Sequence, residues 1–284
     1  MMKRHVRLVY GALFFLLAAP APMEAAAQAG TDDELRAGKN IIPTQVYTEE
    51  EDQEMLKLFQ GLRVTDTCDG MDKAGLQDIG LMDPGILPLW KDTERFTHRV
   101  VGIAVTVRYV PTQKPPAGKM APDEFDKWEG NFYSQYSSEP FVPLIRKGTV
   151  LVFDDAAASD VGTIGSNNIM GWVSRGCVGV ITDSSVRDTD EIITEKVPLY
   201  LRKPGRGIRP GRNEIESVNR PISVGGVLVM PGDVIVADGD GVIVVPRGHA
   251  AKVAQYAHEI LEKDKQGRRA LYKKLGLPED ESVR

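Results

Sequence analysis

The chain reads as a mixed α/β domain with strands concentrated in its middle and helices at both ends. Three observations predict this class. Short apolar runs rich in β-branched residues, VVGIAVTVRYV (100–110), TVLVFDD (149–155) and CVGVITD (177–183), have the composition of buried strands. The segment PISVGGVLVMPGDVIVADGDGVIVVP (221–246) breaks into several short strands at its turn dipeptides. Apolar residues at helical spacing flank this middle on both sides.

At the N-terminus, Lys3, Arg4 and Arg7 precede an apolar run from Leu8 to Ala19, and Ala27-Gln28-Ala29 has the small-residue cleavage pattern. Together these features predict a secretory signal peptide over 1–29, since the apolar run is too short to span a bilayer comfortably. An exported protein, periplasmic or secreted, is expected, with no stable membrane insertion after cleavage. Residues 30–47 form a polar lead-in.

TEEEDQEMLKLFQGL opens with Thr48 and Glu51 in capping-box spacing, and Met55, Leu58, Phe59 and Leu62 share one helical face. This predicts a helix ending near Gly61. A second short helix is expected around Asp69–Leu76, then a Gly/Pro-rich connection to the strand at 100–110. Residues 111–147 break the rhythm. A segment of this length is usually functional or disordered, and Trp128, Phe132, Tyr133 and Tyr136 argue against simple disorder. A lid, a subunit contact or a surface excursion packed by its own aromatics would each suit it.

Beyond the strand at 149–155, DVGTIGSNN is a linker into a helix at IMGWVSRG. Residues 190–199 continue as helix or strand, and 202–213 as a basic, Gly-rich loop. The last stretch is a long amphipathic helix with Val253, Tyr256, Ala257, Ile260 and Leu261 on one side. Residues 249–284 are therefore a helical extension of a domain over 48–248.

Net charge is −5 with no Lys/Arg-rich run, so nucleic acid is not an expected partner. Cys68 and Cys177 lie in segments that look buried and read as packing residues rather than a disulfide. There is no G-x-S-x-G elbow and no Walker motif. His98, His249 and His258 have no metal-ligand spacing, which disfavours histidine-based zinc chemistry.

Oxygen chemistry remains. Asp154, Asp155, Asp183, Asp188 and Glu191 lie at or just beyond the ends of apolar strands, where they would suit Mg²⁺ or Mn²⁺. Gly165, Ser166, Asn167 and Asn168 open a predicted helix whose free N–H groups could hold a carboxylate. Arg187 offers a planar, permanently charged fork for an oxyanion. Each feature also has a structural explanation. Asp188-x-x-Glu191 has capping-box spacing, Arg187 could be a surface ion-pair partner, and Gly165 a turn.

Three segments carry a resemblance: VTDTCDGMDKAGL, the block from TVLVFDD through GSNN to GVITDSSVRDTDE, and GGVLVMPGDVIVADGDGVIVVP. With VVGIAVTVR they resemble the RraA-like family, which includes the class II 4-hydroxy-4-methyl-2-oxoglutarate / 4-carboxy-4-hydroxy-2-oxoadipate aldolases. The resemblance implies a compact β/β/α sandwich of the swivelling-domain type, assembled as a homotrimer or homohexamer with sites near subunit contacts. It also implies roles. Asp188 would ligate the divalent metal, with Glu191 as the accompanying acid. Arg187 would bind the substrate and stabilise a developing enolate, and the amides after Gly165 would hold the pyruvyl carboxylate. The expected activity is a metal-dependent C–C lyase that releases pyruvate from a 2-oxo acid. One departure is notable: Ser166 stands where the aldolases commonly carry an acid. Elimination or hydration on a sugar-derived acid, or a non-catalytic binding role, are the alternatives.

Overall fold

The computed structural model describes residues 30–155 and 160–284. The predicted signal peptide lies outside these residues. Two compact units result, divided after Pro43. Within the described part of the first, a short helix α1 (Asp32–Ala37) occupies the predicted lead-in, with Thr31 and Glu34 forming a capping box.

The second unit begins with α2 (Glu49–Leu58), where Thr48 and Glu51 cap each other reciprocally. Phe59 and Leu62 are buried, as the helical spacing predicts, whereas Leu58 is exposed. The next helix, α3 (Val64–Lys73), starts five residues earlier than expected. Its start is set by Asp66, which accepts the Arg63 backbone N–H at 3.1 Å and the Arg63 Nε–H at 2.8 Å. Then come β1 (Leu87–Pro88) and the long β2 (Val100–Pro111). The segment 111–147 contains a helix, α4 (Pro122–Gln135), which the sequence reading left without structure. Phe125, Trp128, Phe132 and Tyr136 form a ladder along it, with successive ring centroids 5.4, 5.7 and 5.2 Å apart. This is helical spacing, obscured by the polar residues between the rings.

β3 (Thr149–Asp154) leads to β4 (Gly162–Ile164), a strand within the predicted linker, and directly to α5 (Ser166–Val173). β5 (Cys177–Thr182) and β6 (Ser185–Val186) precede α6 (Thr189–Glu195). The segment 190–199 is therefore helix first, with β7 (Leu199–Leu201) starting at its end. β8 (Lys203–Pro204), β9 (Asn213–Val218), β10 (Ile222–Val224), β11 (Val227–Val229), β12 (Val234–Asp238) and β13 (Gly241–Val245) complete the strands. α7 (Ala250–Leu275) is the predicted long C-terminal helix.

The main sheet runs β1-β7-β5-β3-β2-β12-β13, with β9 also on β2. Its centre is parallel (β2, β3, β5, β7), while β12, β13 and β9 are antiparallel additions. A bridge between Leu81 and Ile243 brings the chain ahead of β1 to the far edge, so the sheet nearly closes. Inside, Val150, Val152 and Ile181 face Val224, Val229, Ile235 and Val244, one β layer on another. Helices cover the outside. Val253, Ala257 and Leu261 of α7 pack with Phe59, Leu62 and Met71 on Ile103 and Val236. Phe141, Ile169, Trp172 and Ile192 cover Leu151, Phe153 and Val180 on the other flank. This layering is the β/β/α arrangement that the family resemblance implies. Both thiols are free: Cys177 is buried and Cys68 half-buried.

Candidate active site at the ends of two parallel strands

β4, β6 and β8 form a separate parallel sheet. Two of its strands each feed a helix: β4 passes through Gly165 into α5, and β6 through Arg187 and Asp188 into α6. Their register pairs Ile164 with Val186, and the Arg187 N–H donates to the Ile164 carbonyl at 2.9 Å. Parallel pairing thus places Gly165 beside Arg187, although 22 residues separate Ser166 from Asp188. The N-termini of α5 and α6, with their outward N–H groups, come together there.

Asp188 adopts the left-handed conformation, φ 58° and ψ 41°. A short polar side chain tolerates it better than most, and the bend turns β6 sharply into α6. The capping-box expectation fails here, because Asp188 makes no side-chain cap to its own helix. Its Oδ2 instead accepts the Ser166 N–H of α5 at 3.2 Å. The same oxygen lies 3.7 Å from Arg187 Nε, and both side chains are more than a third exposed. Arg187 therefore has the ion-pair contact its surface reading foresaw, but within the cradle.

Two glycines make this approach possible. A Cβ on Gly162 would fall 2.6 Å from the Arg187 Cβ, so the arginine stem lies directly over that backbone. A Cβ on Gly165 would fall 2.6 Å from Asp188 Oδ2, 3.4 Å from Arg187 Nε and 3.5 Å from Asn168 Oδ1. Gly165 therefore floors a small polar cradle.

The five strand-end carboxylates do not all meet at the cradle: Asp154, Asp155 and Asp183 lie near one another, apart from Asp188 and Glu191 at the start of α6. Asp154 pairs with Arg108 at 3.3 Å, and Asp183 accepts the Gly225 N–H at 3.4 Å. Asp155 is wholly buried, accepting from Thr163, from Ser184 at 3.4 Å and from Asn213 at 3.3 Å. Burial pushes its pKa up to about 6. Through these bonds it ties the end of β3 to β4 and β9. Glu191 is exposed in the first turn of α6. Among the described residues, no three His, Cys, Asp or Glu side chains group as a metal site.

The sequence reading missed Glu139 and Arg209. Glu139 accepts from Asn168 at 2.6 Å, Trp172 at 3.0 Å and Arg209 at 2.9 Å. Its only local signal was an acid amid aromatics, and its partners lie 29 to 70 residues away.

A nearly closed sheet of this topology, with two strand–helix junctions side by side at its flank, defines a class. The family model described as Aldolase/RraA matches residues 64–244, and the chain belongs to the RraA-like family. It is 32% identical over 115 residues to the 4-hydroxy-4-methyl-2-oxoglutarate aldolase of Thermus thermophilus, covering 36% of this chain and 66% of that protein. It is 26% identical over 228 residues to Protein DlpA of Legionella pneumophila, covering 76% of this chain and 32% of that protein. The matches thus span less than two thirds of either relative. Among solved structures, an uncharacterized protein from Pseudomonas syringae superposes with a TM-score of 0.61 at 24% identity, covering 84% of this chain and 96% of the other. Streptomyces coelicolor RraAS2, described as an unusual member of the RNase ES inhibitor RraA protein family, gives 0.61 at 19% identity, covering 80% and 99%. These two likenesses bear on the fold alone.

Proposed function

We propose that this chain is a divalent-metal-dependent C–C lyase that cleaves or decarboxylates a 2-oxo acid and releases pyruvate. One observation carries the proposal: the β4–β6 register sets Arg187 and Asp188 over Gly165, at two helix N-termini open to solvent. The aldolase-named relative from Thermus thermophilus supports the reaction class.

The donor set suits a hard cation that keeps most of its waters. Mg²⁺ commonly takes only one or two carboxylates from protein. Asp188 offers one: only its Oδ2 is engaged by Ser166 and Arg187, and nothing among the described residues donates to Oδ1. Asp188, with Glu191 one turn along α6, would hold Mg²⁺ or Mn²⁺. The bound cation would supply Lewis-acid polarisation of the substrate's oxo oxygen.

The chain's own residues do the rest. The N–H groups of Asn167 and Asn168, in the first turn of α5, bind the substrate carboxylate; that of Ser166 is already taken by Asp188. Arg187 then lies beside the oxo oxygen, where its fixed charge stabilises the enolate as the C–C bond breaks. The Arg187 stem, pressed on Gly162, limits where that charge can sit. Ser166 cannot act as a carboxylate acid or base, which favours elimination or hydration as the second possibility. A non-catalytic binding role is the third.

Two companion proposals stand with this one. Exposure of Arg187 and Asp188 leaves one side of the cradle for a neighbouring subunit in a homotrimer or homohexamer, to be checked by light scattering. Export rests on residues 1–29 and is checked by cell fractionation. The deciding assay is coupled pyruvate release from oxaloacetate and from 4-hydroxy-4-methyl-2-oxoglutarate, with Mg²⁺, Mn²⁺ or chelator, beside Asp188→Ala. Metal-dependent release that the mutant abolishes supports the lyase. A folded, metal-binding protein that releases none overturns it.

A further inference from the structure

The 111–147 segment contributes a carboxylate whose bonds run to the candidate site's own support. Glu139 Oε1 accepts from Asn168 Nδ2 at 2.6 Å and from Arg209 Nη2 at 2.9 Å, and its Oε2 accepts from Trp172 Nε1 at 3.0 Å. Asn168 and Trp172 stand one turn apart on α5. The Arg209 side chain is only 8% exposed, so its charge depends on Glu139 as ion partner. Tyr109 and Tyr133 flank the guanidinium, with ring centroids 5.4 and 5.1 Å away, and Arg209 Nη1 donates to the Tyr109 hydroxyl at 2.6 Å.

An ionised carboxylate accepts hydrogen bonds and donates none, so it selects the NH₂ end of a neighbouring carboxamide. Glu139 takes the Asn168 NH₂, and Asn168 Oδ1 is left on the side of Gly165. A Cβ on Gly165 would stand 3.5 Å from that oxygen, beside the 3.4 Å to Arg187 Nε and the 2.6 Å to Asp188 Oδ2.

We infer that Glu139 is a positioning residue: it fixes the Asn168 carboxamide with its oxygen toward the cradle and anchors the first turn of α5, with Arg209 holding Glu139 in place. The segment that exceeds a simple connection thus presets the polarity of the ligand site from behind. This rests on the proposal that Gly165–Asn168 cradles the substrate carboxylate.

The test uses the full chain with Mn²⁺ and oxalate, a planar dicarboxylate probe. Glu139→Gln keeps the shape but can offer an NH₂ to Asn168, releasing the end selection. Oxalate has only acceptor atoms, so the Asn168 oxygen acts through the Arg187 donors beside it. Glu139→Gln and Asn168→Ala should each loosen Arg187 and weaken oxalate about tenfold, the scale of one charge-assisted hydrogen bond. The double variant should be no weaker than either single one, because both act through one side chain. Glu139→Gln/Arg209→Met removes the ion pair without orphaning the arginine and should reproduce the loss in a folded protein. Additive losses, or wild-type affinity in Glu139→Gln, would overturn the inference. Hydrogen exchange at Ile169, whose N–H donates to the Gly165 carbonyl at 3.2 Å, supplies a readout without ligand. Glu139→Gln should raise it about tenfold, a change of one decade in local opening, and unchanged exchange would also overturn the inference. If the wild type binds no oxalate, the cradle proposal fails, while exchange still decides whether Glu139 anchors α5.

Discussion

Gly165→Ala isolates the cradle because it adds one methyl group and no backbone strain. Gly165 has φ −127° and ψ 170°, extended geometry that alanine adopts freely. The added Cβ would meet Asp188 Oδ2 at 2.6 Å, closer than real Cβ contacts come. The nearest atom is a side-chain oxygen, so the carboxylate moves and gives up the Ser166 N–H. Losing that cap should cost about 1 kcal/mol, the scale of an N-cap bond. For a domain of this size, that lowers Tm by about 2–4 °C. The effect on the site is larger, because Asp188 and Arg187 are displaced together: pyruvate release and oxalate affinity should each fall at least about tenfold. Gly171→Ala is the matched control. Gly171 lies in the same helix with open space around its Cα, and alanine there should stabilise by up to about 1 kcal/mol without touching activity. Wild-type oxalate affinity and turnover in Gly165→Ala would refute the proposed cradle.

Arg187→Lys should lower pyruvate release at least about tenfold while stability changes by less than about 1 kcal/mol, because the planar fork is lost at a half-exposed position; equal losses in chemical denaturation and turnover would contradict this. Burial raises Asp155 from 3.8 to about 6, so the stability of its neutral form is fully present below pH 3.8 and is lost as pH rises through 6. Urea melts of Asp155→Asn should therefore gain on the wild type between pH 4 and 6.5, by about 3 kcal/mol at most, and then level off. A gain that shrinks over that range reverses the sign and refutes the assignment. Thr48→Ala removes the Oγ1 half of the α2 capping box, leaving the residue-48 N–H to donate to Glu51, and should destabilise by about 1 kcal/mol in thermal melts, with pyruvate release unchanged. No loss of stability would mean that α2 is held by Asp52 and its partners Arg146 and Arg247 alone.

Much of the fold was legible locally. The strands at 100–111, 149–154 and 177–182, the short strands from 222 to 245, α2 and α7 all follow from patterns that repeat every two or 3.6 residues. α4 escaped because its aromatic ladder is diluted by charged neighbours, and β4 because its three residues leave no period to read.

For the candidate site, the sequence by itself determined the residue types and their local conformational needs: glycine at 165, and an arginine beside an acid at the exit of an apolar run. Only the tertiary structure decided their company. Parallel pairing of β4 with β6 set Asp188 against Ser166 instead of its own helix, and burial withdrew Asp155 from the exposed carboxylates. Buried Arg209 and half-buried Glu139 became a pair beside α5 across 70 residues of chain. Local patterns report neighbours along one element, where geometry is repetitive. Contacts between elements depend on register and burial, which no short stretch of chain encodes alone.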